Sequence, residues 1–130
     1  MEKYLRTAPL CAPAYLILSG RDRGTILTRS SAATLHAAEL AADSKVWHIQ
    51  QDNTDPWQDP RPGDARAKLA ARTLDALGRE KAATVDGVWA TMSTRGNATQ
   101  KGVLNEDTVY SAVFVPGDPS GVYRDVIRDI

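Results

Sequence analysis

The chain has 130 residues, and its sixteen basic side chains are balanced by sixteen acidic ones, which leaves no basic field to hold a polyanion and makes nucleic acid a poor fit as a partner. The single cysteine, Cys11, excludes an internal disulfide and a cysteine-built zinc site, and His36 and His48 stand apart with no ligand spacing around them. The longest apolar run, Ala12 to Leu18, is too short to span a bilayer, and Met1 to Thr7 lacks the apolar region of a signal peptide, so the chain as written is expected to stay in the cytoplasm.

Glu2 to Thr7 reads as the last turn or two of a helix. Pro9 and Pro13 bracket an extended stretch, because proline stops a helix and biases its predecessor toward the β region. Ala14 to Leu18 is a buried strand, Ser19 to Gly24 is turn chemistry, and Thr25 to Arg29 is a second strand, so the two are expected to form a hairpin. Thr34 to Leu40 has helix-favouring alanines but the length and position of a third strand, and is assigned as strand. Asp43 and Ser44 turn the chain into a fourth predicted strand, Lys45 to Gln51, with Trp47 and Ile49 on one face and Val46 and His48 on the other. Asp52 to Asp64 is a long irregular segment with Pro56, Pro60, Pro62 and Gly63; a loop of this length in a compact unit is usually functional or disordered, and Trp57 within it argues for packing.

Asp64 to Leu77 is a predicted helix. Asp64 is a suitable N-cap, Leu69, Thr73 and Leu77 form a stripe with Leu74 beside them, and Gly78 ends it as a C′ residue would. Thr84 to Met92 is a shorter helix, Ser93 to Glu106 is polar and loop-like, and Thr108 to Val115 and Val122 to Arg128 are two further strands joined by Pro116 to Gly121. Strands, two helices, then strands give an α+β fold with mainly antiparallel sheet, read as a single unit over 1–130.

Several residues have the chemistry for a site. Cys11 is a possible nucleophile, but a catalytic thiol needs a base or cation beside it, and Leu10-Cys11-Ala12-Pro13 supplies none; a small core residue is the competing assignment. His48 is either a general base or a satisfied structural histidine. Asn53 lies at the mouth of the long loop, where its amide could donate to a developing oxyanion or cap a turn. Arg66, at the start of the following helix, could bind a carboxylate, stabilise a thiolate, or remain a surface charge. Asn97-Ala98-Thr99 fits an N-glycosylation acceptor, of consequence only in a secretory pathway.

Taken together, several segments resemble the C-terminal region of the acid ceramidase and N-acylethanolamine-hydrolysing acid amidase family. Ala12-Pro13-Ala14-Tyr15 is similar to that family's Ala-Pro-x-Tyr strand entry, and Ile26-Leu27-Thr28-Arg29 to its Val-Ile-Thr-Arg. Gln51-Asp52-Asn53-Thr54-Asp55-Pro56-Trp57 looks like Gln/Glu-Thr-Asn-Tyr-Asp-x-Trp. The spacing from Asn53 to Arg66 resembles that between the family's asparagine and the first arginine of Asp-Asp-Arg-Arg. Thr108-Val109-Tyr110-Ser111 and Val126-Ile127-Arg128-Asp129 are similar to its Thr-x-Tyr-Thr strand and its closing x-Leu/Ile-Arg-Asp/Asn.

This resemblance implies part of the four-layer αββα sandwich of N-terminal-nucleophile hydrolases, acting on the linear amides of fatty acids, ceramides or N-acylethanolamines, without cofactor or metal. It implies that Asn53 contributes to the oxyanion hole, that Arg66 arranges nucleophile and substrate, and that Asp55 and Trp57 are flanking structural positions. Ala65, Ala67 and Thr54 depart from the pattern. The family's nucleophilic cysteine belongs to a segment upstream of everything here, and Cys11 falls where the family has an ordinary residue. The chain is therefore expected to need a nucleophile-bearing segment or subunit of the same enzyme as its partner and a lipid amide as its substrate. Two alternatives stand beside this: a non-catalytic binding module that keeps a fragment of the fold, and a self-sufficient thiol enzyme using Cys11.

Overall fold

A computed structural model describes residues 1–58, 65–118 and 123–127. The chain divides into two compact units, Met1–Pro62 and Gly63–Ile130. The protein is mixed α+β, with an antiparallel three-stranded sheet in the first unit and three helices with an antiparallel hairpin in the second.

The first unit opens with a short helix, α1 (Glu2–Leu5), followed by strands β1 (Ala14–Ser19), β2 (Arg23–Arg29) and β3 (Thr34–Ala41), in the order β1-β2-β3. The β1–β2 hairpin closes where Gly20 N donates to Arg23 O at 2.8 Å, so β2 starts two residues earlier than its apolar pattern suggests. Directly opposed residues share a face of an antiparallel pair. Leu16, Leu27 and Ala37 therefore line one face, and Tyr15, Thr28 and His36 the other. The register shifts between Thr28 and Arg29, leaving Leu35 as the extra residue of β3 and exposed. The central strand carries the core: Thr25 through Arg29 are all buried, whereas both edge strands are partly open.

Arg29 decides how the N-terminal segment lies. Its side chain is fully buried, with Nη2 donating to Ala8 O at 2.7 Å and Nη1 to Leu5 O. Thr34 Oγ1 donates to Arg6 O at 2.8 Å, and the Arg6 guanidinium bridges Glu2 and Glu39. These bonds lay α1 and its exit across the Leu27 face.

The expected fourth strand, Lys45 to Gln51, does not form; this segment is irregular. A strand exists only where a ladder partner accepts it, and among the described residues none does. Ser44 Oγ instead accepts Val46 N at 3.1 Å, a local turn that competes with extension. Consecutive side chains of a strand point to opposite faces, but the Trp47 and His48 rings meet edge-on at 4.5 Å.

The second unit holds α2 (Ala65–Leu77), α3 (Arg79–Ala82), α4 (Val85–Met92), β4 (Tyr110–Phe114) and β5 (Tyr123–Ile127). The expected N-cap, Asp64, lies outside the described residues. Gly78 does end α2: its N–H returns to Leu74 O at 3.0 Å with φ at +75°, where a side chain is strained. It also starts α3, a turn the sequence reading leaves out. Thr84 caps α4, its hydroxyl accepting Gly87 N at 3.0 Å. The three helices pack on one another and α4 packs on β4. The core here is Ala82, Thr91, Leu104, Asn105, Ser111 and Val113.

Asn105, buried, closes the turn that precedes the hairpin. Its Nδ2 donates to Gly102 O and Val103 O, and its Oδ1 accepts Asp107 N. β4 and β5 then pair from Tyr110↔Ile127 to Phe114↔Tyr123.

Candidate functional site

The motif-like segment Gln51 to Trp57 is a folded turn whose backbone is held from both sides. On its upstream side Thr54 N donates to Asp52 Oδ1 at 2.7 Å, an Asx-turn, while Gln51 Nε2 donates to Asp52 O at 2.7 Å and to Thr54 O at 3.1 Å. On its downstream side Tyr15, on β1, donates its hydroxyl to Asp55 Oδ1 at 2.7 Å, and Gln58 N donates to Asp55 O at 3.1 Å. Thr54 is buried under this arrangement.

Asn53 sits at its tip, with an exposed side chain. Among the described residues no hydrogen bond engages its carboxamide, although its neighbours on both sides are engaged. The expectation that Asn53 follows a strand end is corrected: the turn, not a strand, presents it. Trp57 is also a correction, since 52% of it is exposed and it does not pack the loop as expected. Residues 59–64 of the long segment lie outside the described residues.

Arg66 belongs to the second unit. It lies in the first turn of α2, half-buried. Its charge acts on Lys101 and Asp107, which form an ion pair. The Asp107 carboxyl is held below its ordinary range, chiefly by the hydrogen bond from Lys101, then by the Lys101 charge, with Arg66 adding to the same effect. Lys101 is held above its ordinary value by the bond to Asp107, against which Arg66 acts. Arg66 thus adds to the positive potential at the Asp107 carboxylate.

The other candidates fall elsewhere. Cys11 is a free, exposed thiol, which corrects the expectation of a small core residue. His36 is exposed on β3, and His48 packs its ring against Trp47. Asn97 lies on an exposed turn, its Oδ1 accepting from Thr99 N, Thr99 Oγ1 and Gln100 N, each at 3.0 Å. Among the described residues no three His, Cys, Asp or Glu side chains stand together as metal ligands, and no helix is long and apolar enough to cross a membrane. A hollow of about 380 Å³ in the first unit, lined by charged residues such as Arg23 and Glu39 together with Leu40, Ala41 and Ala42, includes no residue of the Asn53 turn.

Sequence reasoning missed the role of Tyr15. It was legible only as the last letter of Ala12-Pro13-Ala14-Tyr15, while its partner Asp55 is forty residues further on. The available signal was that both belong to segments carrying the family resemblance. No protein-family model matches the chain, and neither does any curated protein.

Proposed function

We propose that this chain supplies the oxyanion-binding asparagine and the active-site arginine of a fatty-acid amide hydrolase of the ceramide or N-acylethanolamine type. In this reading it completes a four-layer N-terminal-nucleophile sandwich together with a nucleophile-bearing segment of the same enzyme. One observation carries the reading: a carboxamide with uncommitted donors, at Asn53, stands exposed on a turn whose flanking residues are pinned on both sides. A donor not engaged in the ground state is free to meet the charge that develops on a carbonyl oxygen.

A thiolate from the nucleophile segment attacks the amide carbonyl, whose π electrons move onto oxygen, and the Asn53 amide donates to that oxyanion. Collapse of the tetrahedral adduct expels the amine, which takes a proton from the nucleophile's own ammonium group, and water then releases the fatty acid. Arg66, cationic at any working pH, holds the thiolate or the polar head of the substrate.

The test assays a fluorogenic fatty-acyl amide with the chain alone and with the chain joined to a nucleophile segment. Turnover in the joined protein, with kcat lowered far more than KM is raised by Asn53→Ala, supports the reading. Turnover by the chain alone that Cys11→Ala abolishes overturns it in favour of a thiol enzyme, a reading that the exposure of Cys11 keeps in play. Unchanged kcat in a folded Asn53→Ala protein removes the oxyanion role.

A further inference from the structure

Within the Asn53 turn, Gln51 and Asp52 close on Thr54 through short-range bonds. Such bonds fix the shape of a turn but not its orientation on the protein. Orientation needs an anchor on a rigid element. Tyr15 provides one: its backbone is locked in the β1–β2 ladder opposite Thr28, which is buried, and its phenol reaches out of the sheet to Asp55 at 2.7 Å. Asp55 is two residues from Asn53, and its carbonyl accepts Gln58 N, so a displacement of Asp55 is passed to both sides of the turn. A group that stabilises charge must be held within about 0.5 Å of its working position, and elements of a sheet hold position better than loops do.

We infer that Tyr15 is a positioning residue, whose hydroxyl orients the Asn53 carboxamide by fastening Asp55 to strand β1. The inference rests on the amidase reading for its catalytic consequence, but not for its structural one. The two are separable because removing one oxygen from Tyr15 leaves the ring, and hence the packing on the sheet, in place.

The experiment compares Tyr15→Phe, Asp55→Leu, Asp55→Asn and the Tyr15→Phe/Asp55→Leu double variant of the full chain, by amide hydrogen exchange and by NMR of the Asn53 side-chain amide. In Tyr15→Phe the Thr54 amide is expected to exchange about fivefold faster or more, as loss of one net hydrogen bond allows. The Asn53 resonances shift and broaden, while the ladder amides of Leu16 and Leu27 keep their protection. Asp55→Asn retains an acceptor oxygen and behaves as the parent. Asp55→Leu reproduces Tyr15→Phe, and the double variant is no worse than either single one. In the joined, active enzyme Tyr15→Phe lowers kcat about tenfold with KM nearly unchanged, the signature of lost transition-state alignment rather than lost binding. Unaltered Thr54 exchange and unaltered Asn53 resonances in Tyr15→Phe overturn the inference. So does a uniform loss of protection through β1 and β2, which marks a general structural role. Local loosening in Tyr15→Phe without amide hydrolysis by any protein supports the fastening of the turn and overturns the amidase reading instead.

Discussion

At the residue scale, the turn around Asn53 and the cations around Asp107 make separate predictions. Replacing Asn53 by alanine in the joined enzyme removes a donor that acts on charge present only in the transition state, so about 3 kcal/mol of activation free energy, or a hundredfold in kcat, is expected. His48→Ala should leave kcat largely intact, and circular dichroism checks that both proteins fold. If the effects are reversed, the chemistry belongs to the histidine. Asp107 tests where Arg66 lies. Its carboxyl is held below the ordinary range when the chain is folded. The ion pair with Lys101 therefore contributes stability above the ordinary carboxylate pKa, and that contribution is lost as pH falls through the depressed value. Carbon-detected NMR titration should find a low midpoint for Asp107. It should rise most in Lys101→Met and by a smaller step in Arg66→Ala, since Lys101 is the larger cause; no step in Arg66→Ala would separate Arg66 from this cluster.

At the scale of elements, α4 depends on two features of its first turn. Thr84 satisfies the Gly87 N–H, and Thr84→Ala should lower stability by about 1 kcal/mol in denaturant unfolding. Gly87 itself is buried, and a Cβ there would stand 2.2 Å from Lys81 O and 2.7 Å from Ala82 Cα. Both contacts are backbone, so α3 and α4 would have to part, and Gly87→Ala should cost about 1–3 kcal/mol, more than the lost cap. Elements whose signals are local could be read from the sequence for this reason. The β1–β2 hairpin has its turn residues, and α2 has its stripe and terminal Gly78. β3 was readable in spite of its alanines because position favoured pairing over propensity, and β2 indeed accepts it along its length. Lys45 to Gln51 alternates like a strand yet forms none, because alternation reports only a side-chain pattern and says nothing about whether an edge is available to pair with. The candidate site was half legible. Asn53 and Asp55 carried a recognisable spacing, whereas the anchor at Tyr15 depends on a contact across the fold that no local pattern encodes.

At the scale of the molecule, the hairpin of the second unit presents apolar surface. Tyr110 and Phe114 lie on the same face of β4 and are 68% and 71% exposed, while Ser111 and Val113 on the opposite face are buried. Exposed apolar patches of this kind promote association. Light scattering of the purified chain should therefore give a mass that rises with concentration, and a Tyr110→Lys/Phe114→Glu variant should suppress the rise. A monodisperse parent with one cooperative melting transition would mean that this face is not adhesive.

The buried guanidinium of Arg29 has a consequence for anyone who shortens or replaces the first eight residues. Among the described residues no carboxylate stands within ion-pair distance of it; the carbonyl oxygens of Leu5 and Ala8 solvate it instead, much as a crown of ether oxygens solvates a cation. Removing residues 1–8 takes away those oxygens and leaves the guanidinium without its two acceptors, at about 1–3 kcal/mol in unfolding free energy. In an Arg29→Leu background the same trimming should be far milder, because no charge remains to be solvated. Each change alone is expected to harm the protein, since Arg29→Leu by itself leaves two carbonyls unmet. Made together they should do less damage than their sum, a sign of coupling that denaturant unfolding of the four proteins would read directly.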